Sequence, residues 1–205
     1  MAPRVILASG SAARRQMLAA AGLSFDVIPS EVDEGALRYE LDVELLIHDG
    51  FPQQVAQVLA EAKAVDVSRR HPGALVIGAD QVLRLAGSNG VFTKPCSRTA
   101  ARTQLRQLSG KTHLLHSAVV LALDGKVVWH ELASSAMTMR DVSDAFIDDY
   151  LTRASDTVCT SVGAYQLEGL GIQLFEKIEG DYFTILGLPL LPLLAELRRL
   201  KVILV

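Results

Sequence analysis

Apolar positions along the chain fall into short runs that alternate between a strand-like and a helical rhythm. Arg4 to Ala8 is a brief run rich in β-branched residues; Ser11 to Ala21 follows with helical composition and stops at Gly22, predicting a strand, a turn and a helix. Phe25 to Ile28 reads as a second strand, Glu40 to Leu46 fits either state, and Val55 to Val67 carries apolar residues at helical spacing (Val55, Val58, Leu59, Ala62, Val65). Leu75 to Leu83 returns to strand. Ser97 is suited to cap a helix running to about Leu108, which Ser109-Gly110 ends. Two strand-like runs, Leu114 to Leu123 and Val127 to Met137, flank Asp124-Gly125, a strong hairpin signal that predicts antiparallel pairing. Ser143 caps a helix to Tyr150, a glycine-bearing loop covers Ser161 to Gly171, Ile172 to Ile178 reads as a strand, and Leu190 to Leu200 closes as a helix. This interleaving predicts an α/β protein with a mixed sheet. No repeat or Pro/Ser linker divides the chain, so residues 1–205 are read as a single domain.

Composition narrows the function. Half of the 205 residues are apolar and mean hydropathy is +0.28, so a substantial core is available. Twenty Lys and Arg against 23 Asp and Glu leave a net charge of −3, without the basic excess of a protein that grips a nucleic-acid backbone. Cys96 and Cys159 are too widely spaced for a CxxC pair and too few for a disulfide framework, which points to a reducing, cytoplasmic setting. The apolar run Val5 to Ala8 is too short for a signal peptide, and Ile185 to Ala195, interrupted by Gly187, Pro189 and Pro192, falls short of a membrane span. Neither a membrane anchor nor a nucleic-acid partner is expected.

The residues that offer chemistry are mostly charged. Ser9-Gly10-Ser11 with Arg14-Arg15 lies where the first strand gives way to the first helix, and hydroxyls and guanidiniums at a helix N-terminus suit phosphate. The plainer alternative is that Ser11 caps the helix and the arginines are solvated. Glu31-Val32-Asp33-Glu34 offers hard oxygen ligands, Asp33 or Glu34, for an ion such as magnesium, or else a solvated acidic turn. Asp80 ends the buried-looking run Leu75 to Ala79, where a carboxylate either holds a metal, takes a proton, or caps a turn. Lys63 sits on the Val55 to Val67 helix, and Lys94, before Pro95, is held on extended backbone. Taken together, Arg14, Arg15, Lys63 and Lys94 carry four positive charges, while Glu34 and Asp80 cancel one divalent ion. That sum suits a nucleoside triphosphate, with its roughly four negative charges. The five histidines, His48, His71, His113, His116 and His130, fit no metal signature. GxSxG, GxxxxGK[ST] and GxGxxG motifs are absent. The apolar tail Val202 to Val205 suits an edge strand or part of an interface.

LASGSAARR near the start, EVDE after the second strand, Ala62-Lys63-Ala64, Gly78-Ala79-Asp80, Lys94-Pro95, Leu108-Ser109-Gly110 followed by His113, Gly163-Ala164-Tyr165, Glu168-Gly169-Leu170-Gly171 and Gly187-Leu188-Pro189-Leu190 stand in an order and spacing that resembles the Maf family of nucleoside triphosphate pyrophosphatases. The resemblance implies an α/β fold like that of the inosine triphosphate pyrophosphatases: two lobes around a long mixed sheet with flanking helices, nucleotide in the cleft, and a possible homodimer. It implies hydrolysis of a nucleoside triphosphate between its α and β phosphates, with magnesium or manganese, as a house-cleaning reaction. By position, Ser9, Ser11, Arg14 and Arg15 would hold phosphates, Glu34 would bind metal, and Lys63 and Lys94 would neutralise the triphosphate. Asp80 would be the proton acceptor or a second metal ligand.

The positions that sort substrates within the family point both ways. Gln81 and Glu168 look like the 7-methyl-GTP branch, and a carboxylate at Glu168 can accept from a guanine edge and balance a methylated base. That branch has Pro and an aromatic where this chain has Ala12 and Ala13, while Gly163-Ala164-Tyr165 and Gly180-Asp181-Tyr182 look more like the dTTP/UTP branch. Gln81 and Glu168 favour 7-methyl-GTP, with dTTP or UTP as the alternative. A nucleotide-binding regulator of cell division without turnover is the alternative from another class, and retention of both Glu34 and Asp80 speaks against it.

Overall fold

The computed structural model describes residues 3–48, 52–88 and 90–204. Among them, strands β1 (Val5–Leu7), β2 (Asp26–Val27), β3 (Leu75–Leu85), β5 (Thr112–Leu123), β6 (Lys126–Met139) and β7 (Phe175–Glu179) follow one another across a long, open mixed sheet in the order β2-β1-β3-β5-β6-β7, and β4 (Val91–Phe92) pairs with β3. Strand β1 runs parallel to β2 and β3, whereas β3–β4 and β6–β7 are antiparallel. The helices are α1 (Ala12–Ala20), α2 (Glu34–His48), α3 (Pro52–Arg70), α4 (Arg98–Leu108), α5 (Asp144–Ala154), α6 (Tyr182–Ile185) and α7 (Leu190–Arg199). The mixed α/β class expected from the sequence is therefore present. The chain divides into two compact units, Met1–Gln81 with Ser117–Ala133 and Tyr182–Val205, and Val82–His116 with Ser134–Asp181.

In the first unit, β1 and the start of β3 are buried at every position, which is why they read as continuous apolar runs rather than alternating ones. Val5, Leu7, Leu75 and Ile77 pack with Met17 and Leu18 of α1, Val119 and Leu121 of β5, and Leu193 and Leu197 of α7. The hairpin between β5 and β6 turns at Asp124 (φ 50°) and Gly125 (φ 74°), the left-handed pair that a two-residue type I′ turn requires. The Asp124 carboxylate also accepts the Gly73 N–H at 2.8 Å.

The second unit is built on α4, whose Ala101, Leu105 and Leu108 are buried, and on α5, which buries Ile147, Tyr150 and Leu151. Arg102 pairs with Asp148 at 2.6 Å, and Arg106 pairs with Asp144, across these two helices. His113 on β5 is fully buried, shares a hydrogen bond of 2.8 Å with the Tyr165 hydroxyl, and lies beside Phe175. Burial lowers its pKa to about 4. The Gly163-Ala164-Tyr165 segment thus serves the interior of this unit: Tyr165 is held by His113, and the Ala164 carbonyl accepts from Tyr150.

Several expectations change. The ambiguous stretch Glu40 to Leu46 lies inside α2, and β4 and α6, too short to carry a periodic signal, were not foreseen. Residues Leu170–Leu174 form a 3-10 turn, so the strand expected from Ile172 begins at Phe175. The tail is not an edge strand: residues 200–203 are turn and bend, Val202 and Ile203 pack against the core, and Val205 lies outside the described residues.

Candidate functional site

Strand β3 outruns its parallel neighbour: pairing with β1 ends at Leu7–Ile77, three residues before Asp80, yet β3 continues to Leu85. Asp80 therefore lies within a strand, not at its end as the sequence suggested, but beyond the carboxyl end of β1, where ligands gather in open α/β sheets.

Helix α3 reaches this carboxylate because small residues let it approach closely. Its buried stripe runs Val55, Ala56, Leu59, Ala60, Lys63, Ala64 and Val67, whereas Val58, Ala62 and Val65 of the expected stripe are only half-buried. At Gly78 a Cβ would overlap the Ala60 carbonyl oxygen and lie 2.7 Å from Ala64 Cβ, so strand and helix touch backbone to backbone. Lys63 sits on that stripe, and its Nζ donates to Asp80 Oδ1 at 2.7 Å. The same ammonium lies 2.8 Å from Glu34 Oε1.

The acidic run resolves into three separate duties. Glu31 pairs with Arg70 at 3.2 Å, while Asp33 Oδ1 accepts the Ala36 N–H at 3.0 Å and so caps α2. Only Glu34, the first residue of α2, turns to the cluster. One helical turn later, Arg38 Nη2 donates to Asp80 Oδ2 at 3.1 Å. Arg38 was not anticipated. Its signal, a cation four residues after Glu34 on one helix face, is visible only once α2 is known to be a helix.

Arg14 has a different surrounding from the one the sequence suggests. Its guanidinium is buried and donates to the backbone oxygens of Ala79 at 2.8 Å and Gly187 at 2.9 Å, and to Ser9 Oγ at 3.2 Å. It thereby ties α1 to β3 and to the Gly187-Leu188-Pro189-Leu190 segment. Burial lowers its pKa, and Asp80 and then Glu34 act in the opposite direction. Ser11 caps α1, its Oγ accepting the Arg14 N–H at 3.4 Å, and Arg15 is exposed. Ala13 is half-buried on the same helix. Gln81 follows Asp80 and donates through Nε2 to Ser117 Oγ at 2.9 Å and to the carbonyls of Thr184 and Ile185. Its amide is thus committed to holding α6, leaving its carbonyl side for any recognition.

The first unit therefore brings together Ser9, Ser11, Arg14, Glu34, Lys63, Asp80 and Gln81. Lys94, exposed before the buried Pro95, and Glu168, exposed ahead of the 3-10 turn, belong to the second unit. Three cations, Arg14, Arg38 and Lys63, face two carboxylates, Glu34 and Asp80, an excess that suits an incoming anion. Among the described residues no group of three or more His, Cys, Asp and Glu is arranged to hold a metal. Two hard carboxylates on a shared lysine fit an ion of the magnesium kind, which takes one or two carboxylates and draws the rest of its ligands from phosphates and water.

A family model described as Maf-like protein matches residues 4–200. The chain belongs to the Maf-like family. This Maf-like chain is 53% identical over 203 residues to a 7-methyl-GTP pyrophosphatase of Brucella abortus, with 99% of each chain covered. It is 54% identical over 203 residues to a protein of the same name from Mesorhizobium japonicum, again with 99% of each covered. A nucleoside triphosphate pyrophosphatase of Paramagnetospirillum magneticum is 54% identical over 193 residues, 94% of this chain and 96% of that one. The His113, Tyr165 and Gly187 motifs of this Maf-like chain serve its packing and the anchoring of Arg14, whereas the Glu34, Lys63 and Asp80 motifs meet in one charged cluster.

Proposed function

We propose that this chain is a nucleoside triphosphate pyrophosphatase that releases pyrophosphate and a nucleoside monophosphate, with 7-methyl-GTP as the favoured substrate. The buried Lys63–Asp80 pair beyond the end of β1, joined from α2 by the half-exposed Glu34, carries the reading, and the names of the relatives agree with it. Asp80 accepts a proton from, or orients, the attacking water. Lys63 keeps Asp80 and Glu34 aligned and balances charge on the phosphates. Ser9, Ser11 and Arg15, at the start of α1, meet the phosphates, with Lys94 as a further cation, and Arg14 holds the frame through its backbone carbonyls. Glu34 and Asp80 would hold magnesium or manganese, which supplies Lewis-acid stabilisation of the leaving pyrophosphate. Base preference is assigned to Gln81 and Glu168, with Ala13 leaving the stacking position without an aromatic ring. Two free cysteines, Cys96 exposed and Cys159 half-buried, agree with a reducing, cytoplasmic setting, and no helix among the described residues is long and apolar enough to cross a membrane.

The test is pyrophosphate release from 7-methyl-GTP, GTP, dTTP, UTP and CTP with magnesium and then manganese. Selective turnover of 7-methyl-GTP is expected, with Asp80→Asn slower by about 10²- to 10⁴-fold, the range of general acid–base catalysis. Preference for dTTP or UTP would overturn the base assignment. Tight nucleotide binding without turnover would overturn the enzymatic reading in favour of a regulator.

A further inference from the structure

Of the two cations on Asp80, one is fixed and the other is poised to move. Lys63 projects from the buried stripe of α3, its side chain is 8% exposed, and it is shared by two carboxylates at 2.7 and 2.8 Å. Arg38 reaches Asp80 from α2 with a side chain 20% exposed, and its contact, at 3.1 Å, is the longest in the cluster. Charge-assisted N–H to carboxylate bonds are ordinarily nearer 2.7–2.9 Å, so this is the weakest of the bonds around Asp80. It also covers Oδ2, the oxygen that Lys63 leaves untouched. A guanidinium presents a planar fork that matches phosphate oxygens in pairs, and a triphosphate carries several times the charge of one carboxylate.

We propose that Arg38 is a phosphate-binding residue that alternates between Asp80, as seen here, and a phosphate of the nucleotide, so that substrate binding itself uncovers Asp80 Oδ2. This rests on the pyrophosphatase reading of the cluster. It deepens that reading by coupling the arrival of the triphosphate to release of the carboxylate. No covalent bond is made or broken in the exchange; one hydrogen-bonded ion pair replaces another. Glu34, on the same face of α2 one turn earlier, stays with Lys63, so α2 need not leave its place for the guanidinium to swing.

The experiment is isothermal titration of the whole protein with inorganic tripolyphosphate, which reports phosphate binding without base recognition or turnover. Arg38→Gln is expected to weaken binding by about 10- to 100-fold, the value of one hydrogen bond to a charged group, with KM for the nucleotide rising more than kcat falls. Arg38→Lys, which keeps the charge but not the fork, should fall between the two; it is the deciding variant if Arg38→Gln melts well below wild type. Unchanged tripolyphosphate binding in a folded Arg38 variant, with only kcat reduced, would make Arg38 a structural partner of Asp80 and overturn the proposal. Wild-type protein that binds tripolyphosphate through Arg38 yet releases no pyrophosphate from any nucleotide would overturn the enzymatic reading and leave this one standing.

Discussion

Replacing Gly78 by alanine tests the backbone-to-backbone approach of β3 and α3 that seats Lys63 against Asp80. The added methyl would overlap the Ala60 carbonyl oxygen and stand 2.7 Å from Ala64 Cβ and 2.8 Å from Ala64 N. These are backbone atoms and a Cβ, so no flexible side chain can turn aside and α3 itself must shift. Overpacking a core costs about 1–3 kcal/mol, and three simultaneous collisions, two with backbone and one with a Cβ, place this variant near the upper figure, about 3 kcal/mol. In a protein of this size each kcal/mol lowers Tm by about 2–4 °C, so a drop of about 6–12 °C is expected. Lys63 precedes Ala64 on the displaced turn, and a misplacement of about 1 Å can cost roughly 10²-fold in rate. Thermal melts followed by circular dichroism, with pyrophosphate release measured at a temperature where the variant is folded, read both effects. Gly10→Ala, where an added Cβ meets nothing within 4 Å, is the stability control and should melt like wild type. Gly78→Ala melting within about 2 °C of wild type with undiminished turnover would show that α3 does not depend on backbone contact with β3 at this position.

Lys63→Met should destabilise the fold by about 3 kcal/mol, the lower end for breaking a buried ion pair, because Arg38 still partners Asp80 and Glu34 is half-exposed. Urea midpoints would read this, and adding Asp80→Asn should recover part of the loss; strictly additive effects would refute the coupling. Stability should also fall on acidification. His113 is held neutral by burial with its pKa lowered from 6.5 to about 4, so the unfolded chain binds the proton first. Its contribution is whole above pH about 6.5 and is lost at about 1.4 kcal/mol per pH unit as pH falls toward 4. His116, lowered to about 4 by burial and by Arg84, acts in the same direction. Urea midpoints independent of pH between 7 and 4.5 would contradict both assignments. In the double variant Gln81→Leu with Ser117→Ala, the Thr184 carbonyl loses two donors, and a Tm loss is expected even if nucleotide selectivity is retained.

Much of the fold was legible in the sequence because its signals are local. Ser11, Ser97 and Ser143 cap the helices they precede through bonds spanning three residues, and Asp124-Gly125 turns its hairpin with backbone angles that few other pairs accept. Helix α2 escaped because its apolar spacing is ambiguous, and with it went Arg38. The stripe of α3 was read from its valines, whereas packing against β3 selected the face lined by Ala56, Ala60 and Ala64. A helix facing a glycine on a neighbouring strand buries its smallest side chains, and that partner lies beyond any window of sequence.

The candidate site divides along the same line. Residue type named Lys63 and Asp80 and left Asp33 or Glu34 open; Glu34, Lys63 and Asp80 do meet, 29 and 17 residues apart in the chain, with Lys63 within hydrogen-bond distance of both carboxylates. Local patterns of residues were enough for the mixed α/β class, the hairpin, the helix caps and the kinds of charged group available for a triphosphate. Tertiary structure alone decided which of three neighbouring carboxylates turns inward, that Arg14 spends its donors on backbone carbonyls, and that Arg38 covers Asp80. Those choices depend on which backbone oxygens and opposite charges lie within about 3 Å in a buried setting, where an unpartnered charge is costly, and no local pattern encodes that distance.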